Sequence, residues 1–118
     1  MHEMSIAMNI IELASKAALT EGSDRIKDIE VEIGAMSGVL IDSLEFCFEA
    51  AARNTPADGA TLTIHTIPAK GQCTDCNKIS AVTSLASQCQ HCGAYLLGLI
   101  SGKDMKIKAI TIDESLEL

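Results

Sequence analysis

Four of the five cysteines fall in two CxxC pairs, Cys73 with Cys76 and Cys89 with Cys92, and twelve residues separate the pairs. No other feature constrains this chain as strongly. The segment CTDCNKISAVTSLASQCQHC offers only Ile79, Val82 and Leu85 as sizeable apolar residues between the pairs. Full burial of such side chains contributes about 1.5 to 3 kcal/mol each, whereas structural zinc in small modules supplies on the order of 10 to 16 kcal/mol. The spacing therefore predicts that two thiolate knuckles meet around one ion. Zn(II) suits four sulfurs in a tetrahedron because it imposes no geometry of its own and has no redox chemistry. Asn77 and Gly93, each just after a knuckle, are residue types that tolerate a left-handed backbone turn.

Two other chemistries use similar residues. A redox-active thiol pair needs one CxxC opening a helix after a strand, and neither pair here has that context. An iron–sulfur centre accepts the same ligands. His91 lies inside the second knuckle, but four thiolates already complete a tetrahedron. The fifth cysteine, Cys47, falls on an apolar helix face and reads as a buried thiol.

Outside the cysteine segment, periodicity predicts five elements. Ile6, Ile10, Leu13, Ala14 and Ala17 recur at helical spacing opposite Asn9, Glu12 and Lys16. Ser5 is a candidate N-cap, Glu12 and Lys16 an i,i+4 pair, and Gly22 a left-handed stop. In IKDIEVEIG, Ile29, Val31 and Ile33 alternate with acidic residues as in a half-buried strand. Asp42 and Glu45 resemble a capping box before a second helix with Leu44, Cys47, Phe48 and Ala51 inward. ATLTIHTIP predicts a second strand, with Leu62 and Ile64 inward and His65 solvated, and KIKAITI a third. No internal repeat is expected. The order implies an α+β fold: a three-stranded mixed sheet with two helices, plus an inserted four-cysteine zinc-ribbon subdomain. The expected division is an α/β domain over residues 1–69 and 99–118 and a zinc-binding subdomain over residues 70–98.

Charge narrows the function. At −7 over 118 residues the chain lacks a basic surface to neutralise phosphates, so cations and basic partners fit better than nucleic acid. Its apolar runs are far shorter than the roughly 20 residues that span a bilayer, and no signal-peptide pattern opens it, so a cytoplasmic protein is expected. Neither a catalytic triad nor a Gly-rich phosphate loop is visible, which argues against an enzyme.

With these segments in place, the chain resembles the HypA/HybF-type hydrogenase nickel incorporation proteins over nearly its whole length. MHE followed by Ser5, VEIGAMSGV, the Phe48 and Glu49 pair, DGATL, the two CxxC pairs and ISGKDMKIKAI carry the resemblance through their order and separation. Two departures, CQHC without the Pro often found after its first cysteine and Asn77 where Gly is commoner, touch no ligand. The resemblance implies a metallochaperone that binds Ni(II) at its N-terminus and delivers it for maturation of [NiFe]-hydrogenase, with urease as a second destination. It implies a HypB-type GTPase and the hydrogenase large subunit as partners, and a homodimer as one assembly. His2 carries the family's essential nickel ligand, and Glu3 belongs to the same motif.

Coordination chemistry supports the transfer. A terminal amine on Met1, the His2 amide nitrogen and an imidazole nitrogen of His2 can close five- and six-membered chelate rings, a nitrogen-rich set that Ni(II) accepts. Zn(II) prefers the thiolates of Cys73, Cys76, Cys89 and Cys92. Nickel would then be transferred cargo and zinc a structural ion. Asp42, close to a helix start, reads as a cap rather than an outer nickel ligand.

Overall fold

The computed structural model describes residues 3–83, 87–95 and 97–113. The elements are α1 (Glu3–Thr20), β1 (Ile26–Gly34), α2 (Ile41–Ala52), β2 (Thr61–Ile67), β3 (Lys70–Cys73), β4 (Ile79–Ala81), β5 (Leu97–Ser101) and β6 (Met105–Ile112). They form two three-stranded sheets, with strand orders β2-β1-β6 and β4-β3-β5. The chain divides into two compact units. One comprises Met1–Val31, Val39–Ile64 and Ile107–Leu118, the other Glu32–Gly38 and His65–Lys106.

In the first unit α1 packs against α2. Its buried residues are Ile6, Ala7, Ile10, Ile11, Ala14 and Ala18. The small Ala side chains between isoleucines let the facing helix approach closely. Leu13, expected inward, is 50% exposed, and Ala17 is exposed too. The buried stripe is wound further round the helix than the sequence alone suggested, because Ala7 and Ile11 belong to it. The helix starts at Glu3, so Ser5 lies within its first turn and does not cap it. At the other end Ser23 N–H donates to the Ala18 carbonyl (2.9 Å) and Gly22 N–H to that of Leu19 (2.9 Å), with Gly22 at φ +83°. This double bond pattern satisfies the last carbonyls and makes Gly22 the expected left-handed stop. Glu12 and Lys16 form the expected pair at 3.6 Å, exposed and so worth at most about 0.5 kcal/mol.

The capping box expected for α2 is not formed. The helix begins at Ile41 with Leu40 as N-cap and no side-chain cap bond, and Asp42 is already inside the first turn, near the positive end of the helix dipole. The carboxylate that reaches this helix start comes from α1: Glu3 Oε2 accepts the Leu40 N–H at 3.1 Å. Leu44, Phe48 and Ala52 are the buried positions of α2, whereas Cys47 and Ala51 are only half-buried.

β1 buries Ile26, Ile29, Val31 and Ile33. The hydrogen bonds fix the sense of its neighbours. In the first unit, Asp113 N–H donates to Arg25 O and Ile26 N–H to Pro56 O. In the second, Gly34 N–H donates to Asp104 O and Ala35 N–H to Ile67 O. β6 thus runs antiparallel to β1 and β2 parallel to it, giving the expected mixed sheet. Leu62, Ile64 and His65 on β2 are all half-buried, so the expected contrast between inward leucine and isoleucine and a solvated histidine is softened.

The second unit contains what the sequence did not reveal, the sheet β4-β3-β5. β3 pairs antiparallel with β4 (Gly71 opposite Ser80) and with β5 (Cys73 opposite Leu97). These strands are three to five residues long; β3 and β4 are mostly polar or small residues, and β5, LGLIS, is too short and too interrupted by Gly98 and Ser101 to stand out as a strand. Nearby, a Cβ on Gly34 would fall on the Gly102 carbonyl, and one on Gly102, at φ +86°, would fall on the Ala69 backbone.

That crowding yields a test. Gly59 shares the left-handed backbone (φ +81°) but has open space around it. Gly59→Ala should cost about 1 kcal/mol, the conformational penalty alone, while Gly102→Ala should cost at least about 2 kcal/mol more because backbone must move. Urea midpoints of the two variants, measured with the metal retained, provide the comparison.

Candidate metal centre

The two knuckles have the same local construction. In the first, Asp75 N–H points at Cys73 Sγ (3.4 Å), Asn77 N–H donates to Cys73 O (2.8 Å) and Cys73 N–H to Lys78 O (2.9 Å). In the second, His91 N–H points at Cys89 Sγ (3.4 Å), Gly93 N–H donates to Cys89 O (2.9 Å) and Cys89 N–H to Ala94 O (2.7 Å). Asn77 and Gly93 sit at φ 63° and 81°, the left-handed turns expected of them. The likeness extends to the preceding residues. Gln72 Nε2 donates to Asn77 O (3.1 Å) and Gln88 Nε2 to Gly93 O (3.0 Å). QCTDCN and QCQHCG are thus one structural repeat, where no internal repeat was expected. The glutamine before each first cysteine was the available signal.

The knuckles converge. Cys73 and Cys92 Sγ are 3.6 Å apart, as are Cys76 and Cys89 Sγ, and all four sulfurs lie within 4.8 Å of one another. A tetrahedron of sulfurs about 2.3 Å from a central ion has edges of about 3.8 Å. The donor set therefore fits one tetrahedral thiolate-bound cation, and all four are free thiols rather than disulfides. Cys73 and Cys89 are buried, Cys76 is half-buried and Cys92 exposed. Ser80, also missed from the sequence, donates its hydroxyl to Cys89 Sγ (3.8 Å) and accepts Gln90 N–H (3.0 Å).

Electrostatics separates the four sulfurs. Burial opposes ionisation of Cys89, but the amides of Cys92 and His91, the Cys76 thiol and the Ser80 hydroxyl outweigh it and bring the thiol down to about 6. At Cys92 the Ala94 amide favours the thiolate, yet the Cys73 sulfur, burial and the remaining thiols prevail and push it up to about 12. Cys76 is raised as well: the Lys78 amide favours its thiolate, but burial and the thiols of Cys89 and Cys73 outweigh that amide. Like charges this close cannot all ionise alone, so four thiolates together require a cation in place of the protons.

The other expected site residues fall elsewhere. Met1 and His2 lie outside the described residues. Glu3 is half-buried at the first position of α1. His91 is exposed and meets the cluster through its amide. Asp42 is exposed, and Cys47 half-buried rather than buried. Among the described residues, the four cysteines are the group placed to share an ion.

Comparison with known proteins gives a consistent picture. The family model described as hydrogenase/urease nickel incorporation, metallochaperone, HypA matches residues 1–112. The hydrogenase maturation factor HypA of Chlorobaculum parvum is 42% identical over 113 residues, covering 96% of this chain and all of that protein. Its counterpart in Parabacteroides distasonis is 40% identical over 112 residues, covering 95% and 97%. The solution structure of the Ni metallochaperone HypA from Helicobacter pylori shares the fold, with a TM-score of 0.70 at 22% identity over 95% of this chain and 97% of that one.

Loading should depend steeply on pH. Filling the site displaces protons from raised thiols, so apparent affinity rises with pH. Below about 6, where Cys89 also binds a proton, it should fall fastest. Cobalt titrations followed by thiolate-to-metal absorption between acid and neutral pH measure this. An affinity flat across that range would contradict the thiol assignment.

Proposed function

Because the chain belongs to the HypA family of hydrogenase/urease nickel incorporation metallochaperones, we propose that it binds Ni(II) at its N-terminus and delivers it for [NiFe]-hydrogenase maturation, and to urease where one is present. The observation that carries this reading is the family match from residue 1 to residue 112, which takes in the MHE start together with both CxxC pairs. The role is binding and transfer rather than catalysis. His2 supplies imidazole and amide nitrogens, Met1 supplies its amine where that amine is free, and Glu3 completes the motif. Cys73, Cys76, Cys89 and Cys92 hold structural Zn(II), a division of metals supported by ligand softness.

The partners in this reading are a HypB-type GTPase and the hydrogenase large subunit, with a homodimer as the self-assembly. The net charge of −7 suits basic surfaces on them and disfavours nucleic acid. The place of action is the cytoplasm; among the described residues no helix is long and apolar enough to cross a membrane. Residues 70–98 form the zinc-dependent subdomain, and residues 1–69 and 99–118 the nickel-binding α/β domain.

The zinc assignment implies selective unfolding. Stripping the ion, or Cys73→Ser, should remove hydrogen-exchange protection from residues 70–98 while amides of α1 and α2 keep theirs, since buried Ile10, Ile29 and Leu44 need no metal. Unchanged protection in 70–98 after verified metal loss would refute a structural ion.

For nickel the decisive experiment is a calorimetric titration of three proteins in one buffer: native-start, N-terminally tagged and His2→Ala. His2→Ala should abolish high-affinity nickel binding while zinc content and Tm stay nearly unchanged. A tag turns the Met1 amine into a peptide nitrogen, breaks one chelate ring and should weaken nickel similarly. Equal affinity in native-start and His2→Ala proteins would defeat the mechanism, whereas a normal tagged protein would exclude only the amine.

A further inference from the structure

Ser80 and Ser23 are the two polar residues buried as a whole among the described residues. Ser23 Oγ makes hydrogen bonds around Arg25 and Asp113, at the end of the mixed sheet. Ser80 has a different neighbourhood. It stands at the centre of β4, opposite Gly71 on β3, and β3 ends at Cys73. Its hydroxyl donates to Cys89 Sγ at 3.8 Å, and its oxygen accepts the Gln90 N–H at 3.0 Å. One oxygen thus ties the strand pair that carries the first knuckle to both a sulfur and the backbone of the second.

We propose that Ser80 is a positioning residue for the metal centre, bridging the two knuckles through its hydroxyl and donating to the Cys89 thiolate. The proposal rests on reading the four thiolates as a zinc site. The repeat explains why such a bridge is needed. Each knuckle orders itself through its own glutamine clamp, left-handed turn and amide-to-sulfur contact, and none of those bonds crosses to the other. The bond to Gln90 orients the second knuckle before the ion arrives. The bond to Cys89 draws electron density from that sulfur once it is a ligand, making it a poorer base toward the protons and competing metals that would detach it. A serine is suited to both bonds at once, because a hydroxyl has one donor and two acceptor positions. Alanine would keep the strand and lose both bonds.

The test compares wild-type and Ser80→Ala proteins loaded with cobalt and with zinc. Loss of the donor should raise the energy of the sulfur lone pair and move the thiolate-to-cobalt charge-transfer band to longer wavelength. Zinc transfer to a chromophoric chelator should accelerate about 10-fold, the lower end of the effect of removing a partner of a metal ligand. Ser80→Thr, which retains the hydroxyl, should restore the band position. A merely structural serine would leave the band in place, so an unshifted band with release within about 2-fold of wild type overturns the proposal. If Ser80→Ala does not fold, wild-type protein loaded with NMR-active cadmium decides. A slowly exchanging Ser80 hydroxyl proton coupled to the metal supports the bridge, and its absence at low temperature refutes it. Wild-type protein that takes up neither cobalt nor zinc would instead refute the zinc reading itself.

Discussion

Four sulfur atoms within 4.8 Å of one another set the terms for the second unit of this chain. Thiols brought that close by backbone turns can release one proton readily, and each further ionisation meets the charge of the first. The turns that gather them are local and inexpensive: amide-to-sulfur contacts, left-handed Asn77 and Gly93, and a glutamine clamp on each side. Among the described residues, the buried apolar side chains of this unit are Ile33, Ala69, Val82, Cys73 and Cys89, so two of the five belong to the sulfur cluster. A cation that replaces the protons turns mutual repulsion into shared attraction, and the short strands around it then need little burial of their own.

The first unit rests on a different source of stability. Ile6, Ile10 and Ile11 on α1 and Leu44 and Phe48 on α2 bury aliphatic and aromatic surface, and Ile29 and Val31 do so on β1. None of these core side chains is one of the four clustered thiols. The Glu3 carboxylate on the Leu40 amide fastens the first turn of α1 to the start of α2.

What was legible in the sequence depended on how local the physics was. Alternation in IKDIEVEIG and helical spacing from Ile6 onward mark their elements directly, and the β1 and α1 spans agree with them, although Leu13 and Ala17 turn out to be exposed. CxxC spacing reports ligand geometry almost as directly, since two residues between sulfurs fix a knuckle and the turn residues follow. The errors lay where the deciding partner is distant. Ser5 and Asp42 have capping chemistry, but α1 starts two residues earlier than Ser5, and the carboxylate meeting the start of α2 comes from residue 3. β3, β4 and β5 are three to five residues long, too short for a pattern of apolar residues to mark them. Gln72, Gln88 and Ser80 are common polar residues whose roles appear only once both knuckles are in place.

The two proposed metal sites differ in the way their tasks require. Four thiolates, two of them buried, surround an ion on all sides, so release needs several ligands to let go in turn. The proposed chelate on His2 draws its nitrogens from two neighbouring residues, Met1 and His2, and an incoming ligand can displace them stepwise. Softness sorts the ions in the same direction, zinc toward sulfur and nickel toward nitrogen. The hazard is that Ni(II) also binds thiolates, and a square-planar preference would pull a sulfur tetrahedron out of shape. The matched knuckles oppose that distortion, because each holds its two sulfurs through backbone bonds that do not depend on the ion. A sulfur site rigid enough to keep its tetrahedral form disfavours a metal with a square-planar preference, which is the physical basis of the division of metals proposed above.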